Sequence, residues 1–163
     1  MKKIFFVFFF SVLVVGATFV IYLKSNPPLV VNGYTSVKGN PDIRLIEIEN
    51  KGIRELKLQT ILVDEKYPES AKLVVSKSEP FEVGTKIENN ANMTFHKLTQ
   101  VRIFPSQYID RQAIGKQPQH YAIQVNATSI QKVTIQYNYL KIPFTLTAEL
   151  QANSAEKIDT KSN

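Results

Sequence analysis

The chain has 163 residues, a formal net charge of +6, 44% hydrophobic residues and no cysteine. The lack of cysteine excludes disulfides, thiolate nucleophiles, cysteine-ligated iron–sulfur clusters, cysteine-containing zinc sites and anchoring through an acylated cysteine. Three of the 20 basic residues lie within residues 1–24, which leaves 17 basic and 14 acidic side chains interleaved along the rest of the chain. A nucleic-acid binder would gather lysines and arginines on one stripe, so the sequence argues against nucleic acid as a partner.

The first predicted element is a membrane-spanning helix within residues 1–24, whose apolar run begins at Ile4 and ends at Leu23. A helix of this length is roughly 30 Å long, which matches the hydrocarbon core of a bilayer. The amino terminus, Lys2 and Lys3 precede the run, whereas only Lys24 follows it directly. This bias predicts a single-pass protein of the cell membrane, with a cytoplasmic N-terminus, an extracytoplasmic C-terminal part and the lipid bilayer as a partner of residues 4–23.

A cleaved signal peptide is the alternative for the same segment. Val15, Gly16 and Ala17 could form a small-residue cleavage site after a shorter apolar run. Because the apolar run continues from Phe19 to Leu23, the sequence favours a retained anchor. Both alternatives place the rest of the chain outside the cytoplasm.

After a proline-containing linker at residues 25–28, the pattern becomes that of β-strands. A first strand is predicted at 30–37. The best hairpin signal joins a strand at 43–49 to one at 53–63, with Asn50, Lys51 and Gly52 as the turn and Gly52 able to take positive φ. Further strands are predicted at 73–75, 81–83, 95–104, 121–125, 133–137 and 144–150.

Seven to nine short strands without a sustained helical period predict one all-β domain at residues 29–150. We expect an antiparallel β-sandwich of the immunoglobulin-like class, because its usual size matches this length. Residues 151–163 are polar and predict a disordered tail.

Few residues suit catalysis or metal binding. The two histidines, His96 and His120, are expected at junctions between loops and strands, and no G-x-S-x-G element surrounds any serine. Glu47 and Glu49 share one face of a predicted strand, as the two acids of a glycosidase would, but alternating acids opposite basic residues are typical of a solvated strand face. We therefore predict no catalytic residue, no metal ligand and no cofactor.

Two polar loops, 85–95 and 106–119, are predicted to contact a partner, because loops on a rigid sheet commonly carry binding residues. Aromatic side chains in or beside these loops suit recognition, although capping of the core is the alternative use for them. The candidate contact residues are Lys86, Glu88, Asn90, Phe95, Tyr108, Arg111 and Lys116.

Three runs of sequence carry a resemblance to known proteins: IRLIEIENKGIRELKLQTILVD, IENNANMTFHKLT and HYAIQVNATSIQKVTIQYNYLKIPFTLTAEL. They resemble a small, uncharacterised group of membrane-anchored proteins from Gram-positive bacteria. The resemblance covers most of the predicted exported part. It implies a single N-terminal anchor with an extracytoplasmic domain, and it implies no activity.

These observations together predict a non-enzymatic binding or accessory module of the cell envelope, whose partner is another envelope membrane protein or a wall polymer. Two alternatives stay open. The first is an envelope hydrolase that acts on cell-wall polysaccharide or peptide through carboxylates or through His96 and His120. The second is a protein that binds anionic wall polymers through its mild positive charge, in a salt-dependent manner.

Overall fold

The computed structural model describes residues 2–77, 80–81, 86–87, 90–106 and 120–150. One α-helix and nine β-strands follow one another in this part of the chain: α1 (Lys2–Ser25), β1 (Leu29–Val37), β2 (Asn40–Asn50), β3 (Leu56–Val63), β4 (Ala71–Ser76), β5 (Met93–Lys97), β6 (Arg102–Ile103), β7 (His120–Asn126), β8 (Lys132–Tyr139) and β9 (Ile142–Glu149). The tail predicted at 151–163 lies outside the described residues.

The strands form two sheets in which every neighbouring pair is antiparallel. The first sheet has the order β1–β2–β7–β4–β5, and the second has the order β6–β3–β8–β9. The prediction of an antiparallel β-sandwich preceded by one apolar helix is therefore confirmed.

The main core lies between the two sheets. Strand β8 illustrates why the sequence forms it, because Val133, Ile135, Tyr137 and Tyr139 are buried and alternate with more exposed residues. Phe144 of β9 stacks on Tyr137, with 5.4 Å between the ring centroids. Such aromatic pairs add to the free energy gained by burial of their apolar area.

A second, smaller core covers the other face of the first sheet. Leu45, Val74 and Ala122 alternate along their strands with residues of the main core, and Phe81 and Ile87 pack on them from the segment between β4 and β5. Phe81 lies in an irregular segment. The strand predicted at 81–83 is therefore wrong at its first residue, and the other two residues lie outside the described part.

The predicted hairpin of 43–49 with 53–63 is wrong. Strand β2 pairs with β1 and β7, whereas β3 lies in the other sheet between β6 and β8. The local hairpin joins β1 to β2 instead, next to Gly39 with its φ of 85°. Alternation is the same whichever sheet a strand joins, so the pattern could predict the strands but not their partners.

Asn50 holds the segment that crosses between the two sheets. Its side-chain nitrogen donates hydrogen bonds to the carbonyls of Arg54 and Ile103, each at 2.9 Å. Its side-chain oxygen accepts a hydrogen bond from the backbone N–H of Gly52, also at 2.9 Å. One buried amide therefore ties the end of β2 to the crossing segment and to β6.

Gly52 is required by close packing. It does not have the positive φ predicted for a hairpin turn. A Cβ atom at this position would lie 2.8 Å from the Cβ atom of Pro28 and 2.8 Å from the hydroxyl of Tyr139. The same hydroxyl accepts a hydrogen bond of 3.0 Å from the N–H of Ile53, so the crossing segment, the linker and β8 meet at one point.

The helix joins the domain at this same end. Asn26 caps α1, because its backbone N–H and its side-chain nitrogen both donate to the carbonyl of Tyr22. Leu23 is buried in the main core, and the N–H of Lys51 donates to the carbonyl of Pro28 at 2.7 Å. Residues 26–28 therefore form a short connection that contacts the sandwich.

Candidate functional site

Of the seven predicted contact residues, Lys86, Asn90 and Phe95 lie in the described part of the chain. Lys86 is exposed, and the side-chain nitrogen of Asn90 reaches its carbonyl at 3.5 Å. The side-chain oxygen of Asn90 accepts a hydrogen bond from the N–H of Asn92 at 2.9 Å, so this amide stabilises its own turn. Phe95 is 41% exposed, but it lies on β5 opposite Val74 and not in a loop. Glu88, Tyr108, Arg111 and Lys116 lie outside the described residues.

The two histidines lie apart. His96 pairs with Leu73 and His120 pairs with Ser76, on opposite sides of β4. Paired residues in an antiparallel sheet point to the same face, and side chains along one strand alternate between the two faces. Leu73 and Ser76 are three residues apart on β4, so their histidine partners point to opposite faces of the sheet. His96 contacts Thr94 through its Nε2 atom at 3.0 Å. The fold therefore does not bring His96 and His120 together in one site.

Glu47, Glu49 and His120 border one small concavity of about 280 Å³ at the end of the first sheet. Burial, and then the charge of Glu49, raise the pKa of Glu47 above its usual value. Burial lowers the pKa of His120. Among the described residues no group of three or more histidine or acidic side chains could hold a metal ion.

A larger groove of about 690 Å³ lies at the end of the sandwich that is joined to α1. Three segments line it: the crossing segment and the start of β3 at 53–57, the stretch around β6 at 102–105, and the end of β8 with the turn to β9 at 138–141. Two buried apolar residues, Leu56 and Pro105, also line it. We call this feature the helix-proximal groove.

Large apolar side chains on the wall of the helix-proximal groove are exposed. Ile53 is 58%, Phe104 is 54% and Leu140 is 39% exposed. Isolated exposed apolar residues are ordinary on a protein surface, but three that line one groove are a feature typical of a binding site.

The charged side chains of the groove are mostly basic. Arg54, Lys57, Arg102 and Lys141 line it together with one carboxylate, Glu55, which gives a formal net charge of +3. Arg102 forms an ion pair with Glu55. The groove therefore combines exposed apolar side chains with a surplus of positive charge, an arrangement complementary to an anionic amphiphile.

The turn at the lip of the groove has an unusual backbone. Tyr139 pairs with Ile142, and the two residues between them, Leu140 and Lys141, have φ of 53° and 66°. Such two-residue turns of type I′ favour Asn-Gly, because residues with a Cβ atom are strained at positive φ. The chain here keeps one apolar and one basic side chain at strained positions.

Sequence reasoning missed this groove. The signals that could have found it are the dipeptide Leu140-Lys141, where a tight turn would favour asparagine and glycine, and Ile53, the one apolar side chain in the run from Lys51 to Glu55. Neither indicates a site without the topology, because residues 53, 104 and 140 come from three separate segments of the chain.

No family model matches the chain, and comparison with curated proteins and with solved structures found no match either.

Proposed function

We propose that this chain is a non-enzymatic, membrane-anchored, extracytoplasmic binding module of the cell envelope, and that the helix-proximal groove is its binding site. The observation that carries the proposal is the groove itself, in which exposed apolar side chains and a net charge of +3 face one cavity of about 690 Å³. Its ligand is an envelope component with an apolar part and a negatively charged part.

The anchor supports this proposal. α1 is long and apolar enough over Phe6–Ser25 to span a membrane, and its apolar side chains from Phe6 to Tyr22 are largely exposed. An apolar helix without protein around it is suited to a lipid environment. The excess of basic charge before the helix supports an orientation with the sandwich on the outer side.

The proposed binding site is a different one from the loops that length and polarity predicted. In the segment around Lys86 and Asn90, the described residues pack on the first sheet through Phe81 and Ile87 or hydrogen-bond to one another. The groove instead leaves apolar area exposed, and burial of that area by a ligand is favourable by roughly 25 cal/mol per Å² before the costs of association.

Photo-crosslinking in intact membranes tests the proposal. We would place a photoreactive amino acid at Leu140 in the groove, at Lys86 in the predicted contact loop, and at Lys66 near the far end of β3, and identify the adducts of the full-length protein by mass spectrometry. We expect adducts from position 140 that disappear in the background Arg54→Glu/Lys141→Glu. Adducts from position 86 alone would reject the groove and restore the loop.

An envelope hydrolase is the second candidate function. Glu47 and His120 border the same concavity, and a carboxyl whose pKa is raised by burial and by a neighbouring carboxylate suits a general acid. This candidate predicts that the full-length protein in vesicles releases product from cell-wall polysaccharide or peptide and that Glu47→Gln abolishes the release. Absence of turnover by the unaltered protein would reject it.

A further inference from the structure

Resting on the proposed binding function, we infer that the occupant of the helix-proximal groove is the anionic lipid headgroup layer of the leaflet from which α1 emerges. The end of the sandwich that carries the groove would then contact the membrane surface. Three independent features support the inference: the reach of the connection, the chemistry of the groove and the conformation of its lip.

The connection holds the groove at the membrane surface. Only residues 26–28 separate the end of α1 from β1, and three residues span at most roughly 10 Å. Leu23, in the last turn of the helix, is itself buried in the main core. Gly52 packs against Pro28, and Ile53 of the groove follows it directly. The headgroup layer on each side of a bilayer is roughly 5–8 Å thick, so the groove lies within its reach.

The chemistry of the groove suits that layer. Surfaces that bind at the boundary between headgroups and acyl chains combine apolar side chains, which enter the boundary, with lysines and arginines, which contact anionic phosphates. Ile53, Phe104 and Leu140 supply the first kind of group, and Arg54 and Lys141 supply the second. A purely polar anion would leave the exposed apolar side chains uncovered.

The lip of the groove points to the same conclusion. Leu140 and Lys141 occupy the two positive-φ positions of a turn that other residues would form with less strain. At the other positive-φ pair, Asp64 and Glu65, polar contacts accompany the strain: the Asp64 carboxylate accepts hydrogen bonds from the backbone and Glu65 pairs with Lys132. The leucine side chain has no polar atom for such bonds. Strain retained at the lip of a groove indicates that its side chains serve a function.

Tryptophan fluorescence of the full-length protein in vesicles tests the inference. The chain contains no tryptophan, so Phe104→Trp introduces a single reporter in the groove. Lys66→Trp is the matched control at the far end of β3, roughly 25 Å away. The vesicles are either pure phosphatidylcholine or a mixture of phosphatidylcholine with phosphatidylglycerol, each with brominated acyl chains as the quencher.

We expect the F104W reporter to be quenched at least twofold more in the vesicles that contain phosphatidylglycerol than in pure phosphatidylcholine, and the difference to vanish at high salt. The K66W reporter should be quenched equally weakly in both. The pair Leu140→Asn/Lys141→Gly, combined with F104W, should raise the midpoint of thermal unfolding and abolish the lipid-dependent quenching. A purely structural turn would show the first effect without the second.

Equal quenching of F104W in both kinds of vesicle would overturn the inference. So would loss of the lipid-dependent quenching on addition of millimolar inorganic phosphate or glycerophosphate at constant ionic strength, because the ligand would then be a soluble anion. In either case, groove adducts to a protein or a wall polymer in the crosslinking experiment would leave the proposed binding function standing. Absence of any groove adduct would remove that function as well.

Discussion

Substitution of Gly52 by asparagine should strongly destabilise the sandwich, whereas the same substitution at Gly39 should not. Asparagine tolerates positive φ better than other residues with a side chain. Gly39 has a φ of 85° and no atom within 4 Å of its missing Cβ, so Gly39→Asn should cost less than about 1 kcal/mol. The pair therefore separates a glycine needed for its backbone conformation from a glycine needed for space.

The cost at Gly52 follows from its contacts. A Cβ atom would lie 2.8 Å from Pro28, 2.8 Å from the Tyr139 hydroxyl and 3.0 Å from the side-chain oxygen of Asn50. Forcing these groups apart is overpacking, which costs about 1–3 kcal/mol. Displacement of Tyr139 also weakens its hydrogen bond with Ile53, worth about 0.5–1.5 kcal/mol. We expect Gly52→Asn to cost about 2–4 kcal/mol in all.

Thermal unfolding of the full-length protein in detergent micelles, followed by circular dichroism of the β-sheet signal, measures the difference. A loss of this size should lower the unfolding midpoint by on the order of 10 °C for Gly52→Asn, and by only a few degrees for Gly39→Asn. Equal midpoints for the two variants would refute the role assigned to close packing and would favour the turn that the sequence predicted.

Further substitutions test other features of the fold. Asn50→Ala removes three hydrogen bonds of a buried amide, so it should lower the free energy of unfolding in urea by about 2–4 kcal/mol. A smaller decrease than that caused by replacing an exposed asparagine with alanine would contradict the role of Asn50 in tying β2 to β6. Burial and Glu49 raise the pKa of Glu47, so the folded state binds that proton more tightly and stability falls as the pH rises through the range above 4.5. Glu47→Gln should flatten that decline and raise stability at neutral pH, and an unchanged pH profile would exclude the effect. Burial raises the pKa of Tyr137 to about 12 from 10.0, so stability should fall as the pH rises between these values. Tyr137→Phe should reduce this alkaline loss, which urea midpoints on both sides of the range would measure.

Much of the fold could be predicted because it depends on local patterns. The alternation of Phe144, Leu146 and Ala148 with exposed residues predicted β9, and the burial along that strand follows the pattern. Pro143 lies where the sequence allowed it, near the start of a strand at the edge of the second sheet. The partner of β2 could not be predicted, because an alternating strand can pair in either sheet.

The proposed site was harder to predict than the fold. Loop length and polarity led to Lys86 and Asn90, but polarity also suits a segment that satisfies its own turn, as Asn90 does. The residues of the helix-proximal groove carry no common motif. Each is an ordinary residue in its own segment, and only the crossing of β2 to β3 and the pairing of β3 with β6 and β8 bring these segments together.

The sequence by itself determined that the chain starts with an apolar helix long enough to span a bilayer and continues as a series of short β-strands. Both properties depend on the order of apolar and polar residues along the chain, which needs no knowledge of distant contacts. Only the tertiary structure decided that Gly52 is needed for space, that Asn50 ties β2 to β6, and that Ile53, Phe104 and Leu140 share one groove beside the end of the helix. These facts depend on which strands become neighbours, and that choice is made by the packing of the whole domain.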